Sequence, residues 1–199
     1  MIESTGSVKH AASMLLLLGV LQAGHAAAEY VVIPPGKLAS VLAGDADTGP
    51  AVIPAFAMRA TPVTNGEYLA FVQSHREWQR GKAPASFADG TYLHAWRSPI
   101  ALSSDMTADQ PVTNISWFAA EAFCEGEGAR LPTWLEWEYV AAADEQVFDA
   151  RSNPAWRARI LSWYSQTSSA PLAAVGGEAN AYGVRNVHGL VWEIGRAHV

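Results

Sequence analysis

Arg130-Leu131-Pro132-Thr133-Trp134-Leu135-Glu136-Trp137-Glu138-Tyr139 is the stretch on which the fold turns. Thr133 stands three residues before Glu136, the spacing of a capping box in which each side chain satisfies a free backbone N–H of the first helical turn. Pro132 stops any helix from running in from upstream, so a new helix starts here. It is expected to reach about Ala143, with Leu135, Tyr139 and Ala142 facing inward. Glu136 and Glu138 are two positions apart, about 200° around a helix, and so cannot act as one acid/base pair. The cap accounts for Glu136, and Glu138 is left to Arg130 or to solvent. Further on, Asn186-Val187-His188-Gly189-Leu190-Val191-Trp192-Glu193 reads on its own as a glycine-containing turn with Trp192 as a core anchor.

Composition limits what surrounds these two blocks. The chain has 199 residues, of which 50% are apolar and 16% charged, enough to bury one sizeable core. The net charge is −6 and no cluster of lysine or arginine occurs, which argues against nucleic acid or an anionic membrane as partner. Eight tryptophans suggest loops closed over large aromatic anchors. Cys124 is the only cysteine, so no disulfide can form within the chain; on the Ser116 helix it reads as a small buried hydrophobe.

At the N-terminus, Lys9 and His10 precede an apolar run from Ala11 to Leu21, and Ala26-Ala27-Ala28 gives a small-residue cleavage pattern. The run is about half the ~20 residues of a membrane span. Residues 1–28 are therefore read as a secretory signal, with no membrane span after its removal and a periplasmic or secreted mature protein.

The mature chain alternates short elements with long irregular loops. Tyr30 to Ile33 is an opening strand stopped by Pro34-Pro35-Gly36. Val52, Pro54, Phe56 and Met58 alternate along an edge strand that tolerates the proline. Thr64-Asn65-Gly66-Glu67 is a second capping box, followed by Tyr68, Phe71, Val72 and His75 on one helical face ending near Ser74. Gln79 to Val112 holds no period and reads as a long loop packed on the domain surface by Phe87, Tyr92, Trp96 and Leu102. A helix from Ser116 ends at Gly126 and Gly128, and a second irregular stretch runs from Asp149 to Ala181.

Common chemical signatures are missing: no G-x-S-x-G, H-E-x-x-H, Walker loop or C-x-x-C occurs. Gly126-Glu127-Gly128 lacks the third glycine of a dinucleotide loop, where Leu131 stands. His75, His94 and His188 show no ligand spacing and read as structural or surface histidines.

Four blocks carry more than any single motif: Pro62 to Phe71, Pro111 to Trp117, Arg130 to Tyr139, and Tyr182-Gly183-Val184 through Asn186 to Glu193. Their order and spacing resemble the formylglycine-generating enzyme family, or sulfatase-modifying factors. The resemblance implies an α+β domain of C-type-lectin-like fold with short strands, two or three short helices and long irregular loops. It also implies copper(I) held by two thiolates, which with oxygen oxidises a sulfatase cysteine to formylglycine; soft thiolates select Cu(I). That cysteine pair would lie after the Gly-x-x-Trp-Glu block, and no cysteine occurs there.

Relatives also hold a structural Ca2+, and residue by residue the resemblance transfers that site to Asn186, Gly189, Val191 and Glu193, hard oxygen donors suited to calcium. Leu190 stands where an asparagine is usual. The ending Glu193-Ile194-Gly195-Arg196-Ala197-His198-Val199 resembles a translated sequencing adapter. The expected organisation is thus a signal over 1–28, a sulfatase-modifying-factor-like domain over 29–193 that is incomplete at its C-terminus, and a non-native tail over 194–199. The expected partner is a sulfatase or another exported enzyme, as substrate or client. Two further readings are a non-catalytic member, such as the nitrite-reductase accessory proteins that resemble this family, and a lectin-like binding module.

Overall fold

The computed structural model describes residues 28–40, 49–166 and 171–197. The signal-peptide reading therefore falls, but for its last residue, outside the described residues.

Four short strands come first: β1 (Tyr30–Ile33), β2 (Gly36–Leu38), β3 (Ala51–Ile53) and β4 (Phe56–Arg59). They form one long antiparallel ribbon interrupted in its middle. Ile33 pairs with Phe56 at the end of the β1·β4 ladder, and Gly36 with Ile53 at the start of the β2·β3 ladder. Between them Pro34 and Pro35 face the region of Pro54, and a proline has no N–H to give a ladder. The single edge strand expected through Pro54 is thus two strands in two separate sheets. The ribbon is prolonged at its far end, where the Ala60 N–H donates to the Glu29 carbonyl and the Arg185 N–H to the Ala60 carbonyl, both at 2.8 Å.

Helix α1 (Asn65–Ser74) begins in the expected capping box: the Glu67 N–H donates to Thr64 Oγ1 at 3.2 Å and the Thr64 N–H to the Glu67 carboxylate at 2.7 Å. A short 3-10 turn at Arg76–Trp78 follows. Helix α2 (Trp117–Gly126) starts with Ser116 Oγ accepting from the Ala119 N–H at 3.2 Å. Helix α3 (Trp134–Ala141) carries the second full capping box, Thr133 with Glu136.

A fourth helix, α4 (Pro154–Tyr164), corrects the expectation of two or three helices, because it occupies a stretch read as irregular. Asn153 Oδ1 caps it by accepting from the N–H groups of Ala155 and Trp156, and Pro154 fills the first position. It buries none of its residues, so no apolar period betrayed it.

Two apolar clusters form the interior. In the first, Tyr68, Phe71 and Val72 of α1 meet Ala119 and Phe123 of α2 together with Tyr92, Leu93 and Trp96 from the long loop. That loop is pinned by Arg80, whose Nη1 donates to the carbonyls of Leu93, His94 and Trp96 at 3.3, 3.0 and 2.7 Å. The second cluster joins Ile33 of β1 to Val140 and Ala141 of α3 and to Tyr182, Val184 and Val187.

The side of α3 that faces inward differs from expectation. Ala142 is buried, but Leu135 and Tyr139 are only half-buried, while Val140, Ala141 and both carboxylates, Glu136 and Glu138, are buried. The helix is an α+β packing element whose polar residues are spent on neighbours.

Candidate functional site

Between the two clusters opens a groove of about 1350 Å3. Its walls come from β4 (Phe56, Met58, Arg59), from α2 (Phe123, Cys124), from the Arg130 to Pro132 approach to α3, and from Val187 to Ile194. The two blocks that decided the fold therefore meet at one feature. The residues just past the second block bond to the first block and to α2: the Trp134 N–H donates to the Arg196 carbonyl at 3.0 Å, the Arg196 N–H to the Pro132 carbonyl at 2.8 Å, and Trp117 Nε1 to the Gly195 carbonyl at 3.0 Å.

At one end Arg59 lies between two carboxylates, Glu67 of α1 and Glu127 after α2, and its guanidinium sits 5.7 Å from the Phe123 ring centre. The Tyr30 hydroxyl donates to Glu127 at 2.8 Å. Burial, then that hydrogen bond, raises the Tyr30 phenol to about 12, so it is a donor at any physiological pH. Cys124 lies alongside. Burial, reinforced by the neighbouring carboxylates Glu127 and Glu121, pushes its thiol up to about 11, which keeps it protonated and a poor nucleophile or metal ligand. The sequence reading makes Cys124 a small buried hydrophobe; it is instead half-buried on the groove wall among charged neighbours, with an unreactive thiol.

In the middle, Arg130 and Glu136 form a two-pronged pair at 2.8 and 2.6 Å, and Glu136 also accepts from the Thr133 N–H at 2.8 Å. Arg130 is thus the partner of Glu136, not of Glu138. The Glu138 carboxylate instead accepts from Trp134 Nε1 at 3.0 Å and Ser40 Oγ at 2.5 Å, with Arg151 3.8 Å away. Both glutamates hold structure.

The hydrogen bonds from Arg130, and then those from Thr133, hold the Glu136 carboxyl below its ordinary value of 4.5. A carboxyl lowered on folding adds stability that is fully present above the unfolded value and is lost as pH falls through the folded one. Arg130→Met should therefore cost about 1 kcal/mol at pH 7, reduced by the exposure of Arg130 to solvent. The parent's loss of stability on acidification below pH 4.5 should shrink in the variant. Urea unfolding of both proteins at neutral and acid pH measures this, and equal acid sensitivity would refute it.

At the far end, Trp192 stacks near Tyr164 and Trp163, with ring centres 5.0 and 5.9 Å away, while remaining 78% exposed. Glu193 beside it is also exposed at the groove mouth, yet desolvation by the surrounding walls pushes its carboxyl up to about 7. Among the described residues no cation or hydrogen-bond donor meets it.

The four residues transferred as calcium ligands divide between two cavities. Gly189, Val191 and Glu193 line the groove, whereas Asn186 lines a smaller cavity of about 500 Å3 beneath α4; Gly189 alone of the four borders both. Asn186 and Gly189 both adopt positive φ, 56° and 90°, which makes the turn tight, and Asn186 Oδ1 accepts from the Gly176 N–H at 2.7 Å. One of its lone pairs is therefore spoken for. Among the described residues no group of three or more His, Cys, Asp or Glu could hold a metal.

The three histidines among the described residues stand apart. His75 stacks on Phe71, His94 Nδ1 lies 2.8 Å from the Thr91 carbonyl, and His188 Nε2 lies 2.8 Å from the Ala141 carbonyl within a ring of Trp137, Trp156 and Tyr164. Burial lowers the His188 pKa and favours its neutral form. The two-thiolate copper set does not fit these residues, because the chain has one cysteine and that one is protonated.

A mixed α+β domain with small antiparallel sheets, four short helices and long loops is the class these observations define; of its tryptophans only Trp96 is buried, and Trp192 is no core anchor. The family described as the sulfatase-modifying factor enzyme 1-like domain matches residues 20–197, and the chain belongs to it. Similar proteins include the hercynine oxygenase of Mycobacterium tuberculosis, 32% identical over 158 residues that make up 71% of this chain and 37% of that protein. The formylglycine-generating enzyme of Streptomyces coelicolor is 32% identical over 115 residues, 49% of this chain and 36% of that enzyme. The inactive C-alpha-formylglycine-generating enzyme 2 of Mus musculus is 30% identical over 174 residues, 69% of this chain and 56% of its own length. The chain thus spans little more than a third of the hercynine oxygenase it matches.

Among the described residues no helix is long and apolar enough to cross a membrane.

Proposed function

We propose that this chain is an exported domain of the formylglycine-generating type, whose client is a sulfatase or another exported enzyme. The observation that carries this reading is the convergence of the family's motif blocks on one groove. Named relatives with activities that use oxygen or generate formylglycine support the class of chemistry, oxidation at a substrate centre. The chain's own residues provide the walls, the aromatic rim and the hydrogen-bonded carboxylates. Its single protonated thiol cannot supply a thiolate pair for copper.

The purified 199-residue chain, given copper, oxygen and a sulfatase peptide containing the target cysteine, is accordingly expected to yield no formylglycine. Mass spectrometry and aldehyde capture read the outcome, and conversion above the metal-only control would overturn it. The inactive mouse relative favours a second reading, a non-catalytic client-binding member. In that case a sulfatase would bind the protein without any cysteine being changed.

Calcium belongs to the same proposal: Asn186 and Glu193 side chains with the Gly189 and Val191 carbonyls would stabilise the turn. Saturating Ca2+ at a hundredfold its dissociation constant would add about 2.7 kcal/mol. Melting in Ca2+ against a chelator should separate the parent curves and leave those of Asn186→Ala superimposed. Superimposed parent curves would remove calcium from the proposal.

A further inference from the structure

The cavity of about 500 Å3 beneath α4 is a second enclosure, and its size falls within the ~300–1,000 Å3 usual for sites of small molecules. His188 borders this cavity and does not border the groove. Its Nε2 faces the Ala141 carbonyl, which can only accept, so Nε2 carries the hydrogen and Nδ1 of the neutral ring is left as an acceptor. That Nδ1 is buried and has no hydrogen-bond partner among the described residues. A buried polar atom without a partner marks a place where a complementary group belongs, and here the missing group is a donor.

The charge around it has one sign. Asp144, Glu145 and Glu178 line the cavity against a single guanidinium, that of Arg159. Arg159 is committed to Glu145 at 2.9 Å, and Asp144 accepts from the N–H groups of Gln146 and Val147 at 2.9 and 2.7 Å. Glu178 meets no donor or cation among the described residues; Arg185 gives its Nη1 to the Gly177 carbonyl and lines the groove instead. The same wall carries the indoles of Trp156 and Trp163, rings whose faces attract a cation.

Helix α4 covers the cavity. The rings of its Trp156 and Tyr164 stand 5.9 and 6.5 Å from the His188 ring and close over Nδ1. None of the helix's residues is buried, and the Arg159–Glu145 pair that ties it to the body lies at the surface, so little holds it down. A ligand reaches Nδ1 by lifting these rings with the helix.

We propose that the cavity beneath α4 binds a small organic ammonium with an aromatic body, an arylalkylamine in its protonated form. An ammonium N–H donates to His188 Nδ1, the positive charge answers Glu178, and the body lies against the Trp156 and Trp163 indoles under α4. A bare metal ion would leave the indoles without an apolar partner, and a neutral alcohol would leave the carboxylate unanswered. The site stands apart from any oxidation of a client and from calcium at the turn.

The full 199-residue chain, labelled with 15N in its imidazoles and kept in chelator, is titrated with 2-phenylethylammonium, with its N,N,N-trimethyl form and with 2-phenylethanol. The second probe keeps the charge without an N–H, and the third keeps a donor without the charge. The primary ammonium should saturate while shifting the His188 Nδ1 resonance, which is identified by its absence from His188→Gln. Both controls should bind about tenfold more weakly, the loss expected for one charge-assisted hydrogen bond. Glu178→Gln, at an exposed position that does not endanger folding, should weaken the primary ammonium severalfold.

No shift at His188 up to the solubility limit of the primary ammonium, or shifts confined to other histidines, would overturn the proposal. Equal binding of the trimethyl form would overturn the bond to Nδ1, and unchanged affinity in Glu178→Gln would overturn the role of that carboxylate. None of these readings involves conversion of a sulfatase peptide, so failure here and failure of the oxidative reading are told apart.

Discussion

Tyr68→Ala is expected to cost about 3–5 kcal/mol and to unfold much of the α1–α2 half of the protein. Tyr68 has no exposed surface, and its ring packs against Phe71, Phe123 and Trp96 with centres 5.4, 5.7 and 6.3 Å away. Its hydroxyl meets that of Tyr92 at 2.9 Å, and Tyr92 passes the chain on by donating to the Trp78 carbonyl at 2.7 Å. Truncation removes both the packing and the start of this relay, leaving a cavity among rings too rigid to close it. Tyr68→Phe removes the relay alone and should cost about 1 kcal/mol. Urea denaturation of the two variants separates the contributions; similar losses would mean that the hydroxyl, not the ring, holds this cluster together.

Arg59→Met is the second large effect, expected at about 2–4 kcal/mol. Breaking a buried ion pair by removing one partner costs 3–5 kcal/mol because a charge is stranded, and the partial exposure of Glu67 and Glu127 reduces this somewhat. Arg59 ties β4 to the first turn of α1 and to the residues after α2, so its loss loosens three segments at once. Adding Glu67→Gln and Glu127→Gln should recover most of the stability, since no uncompensated charge then remains. A single variant that melts with the parent would show that the network contributes nothing, and a triple variant no better than the single would show that stranded charge is not the source of the loss.

What the sequence made legible follows from range. Capping boxes are local devices, three residues across, and Thr64–Glu67 and Thr133–Glu136 are as read. Tyr92 and Trp96 go deeper than the surface packing expected of their loop, into the interior, while Phe87 stays largely exposed. Helix α4 escaped because its signal is a cap without an apolar face: Asn153-Pro154 announces a start, and nothing buried follows. The strand through Pro54 was misjudged as continuous because alternation persists across a residue that cannot join the ladder.

The Arg130–Glu136 pair escaped for a different reason. The capping box seemed to use up Glu136, yet a carboxylate has two oxygens and several lone pairs, and Arg130 takes what the cap leaves free. The groove could not be read at all. Its walls run from Tyr30 to Ile194, and no local pattern records that Arg59, Trp137 and Glu193 come to one place.

Gly36 holds a consequence of another kind. A side chain there would run into the Tyr139 ring, since a Cβ would lie 2.8 Å from its Cζ, so the second strand and the helix at Trp134–Ala141 are fitted to each other. The two residues are about 100 positions apart, and a ribosome adding roughly 5–20 residues per second needs about 5–20 s to make the later one after the earlier. Through that interval the N-terminal ribbon can pair with itself but lacks the surface it was shaped for. Newly made chains therefore depend on whatever shields that ribbon during synthesis, and variants that pause translation between Gly36 and Tyr139 should give less soluble protein with the mature sequence unchanged.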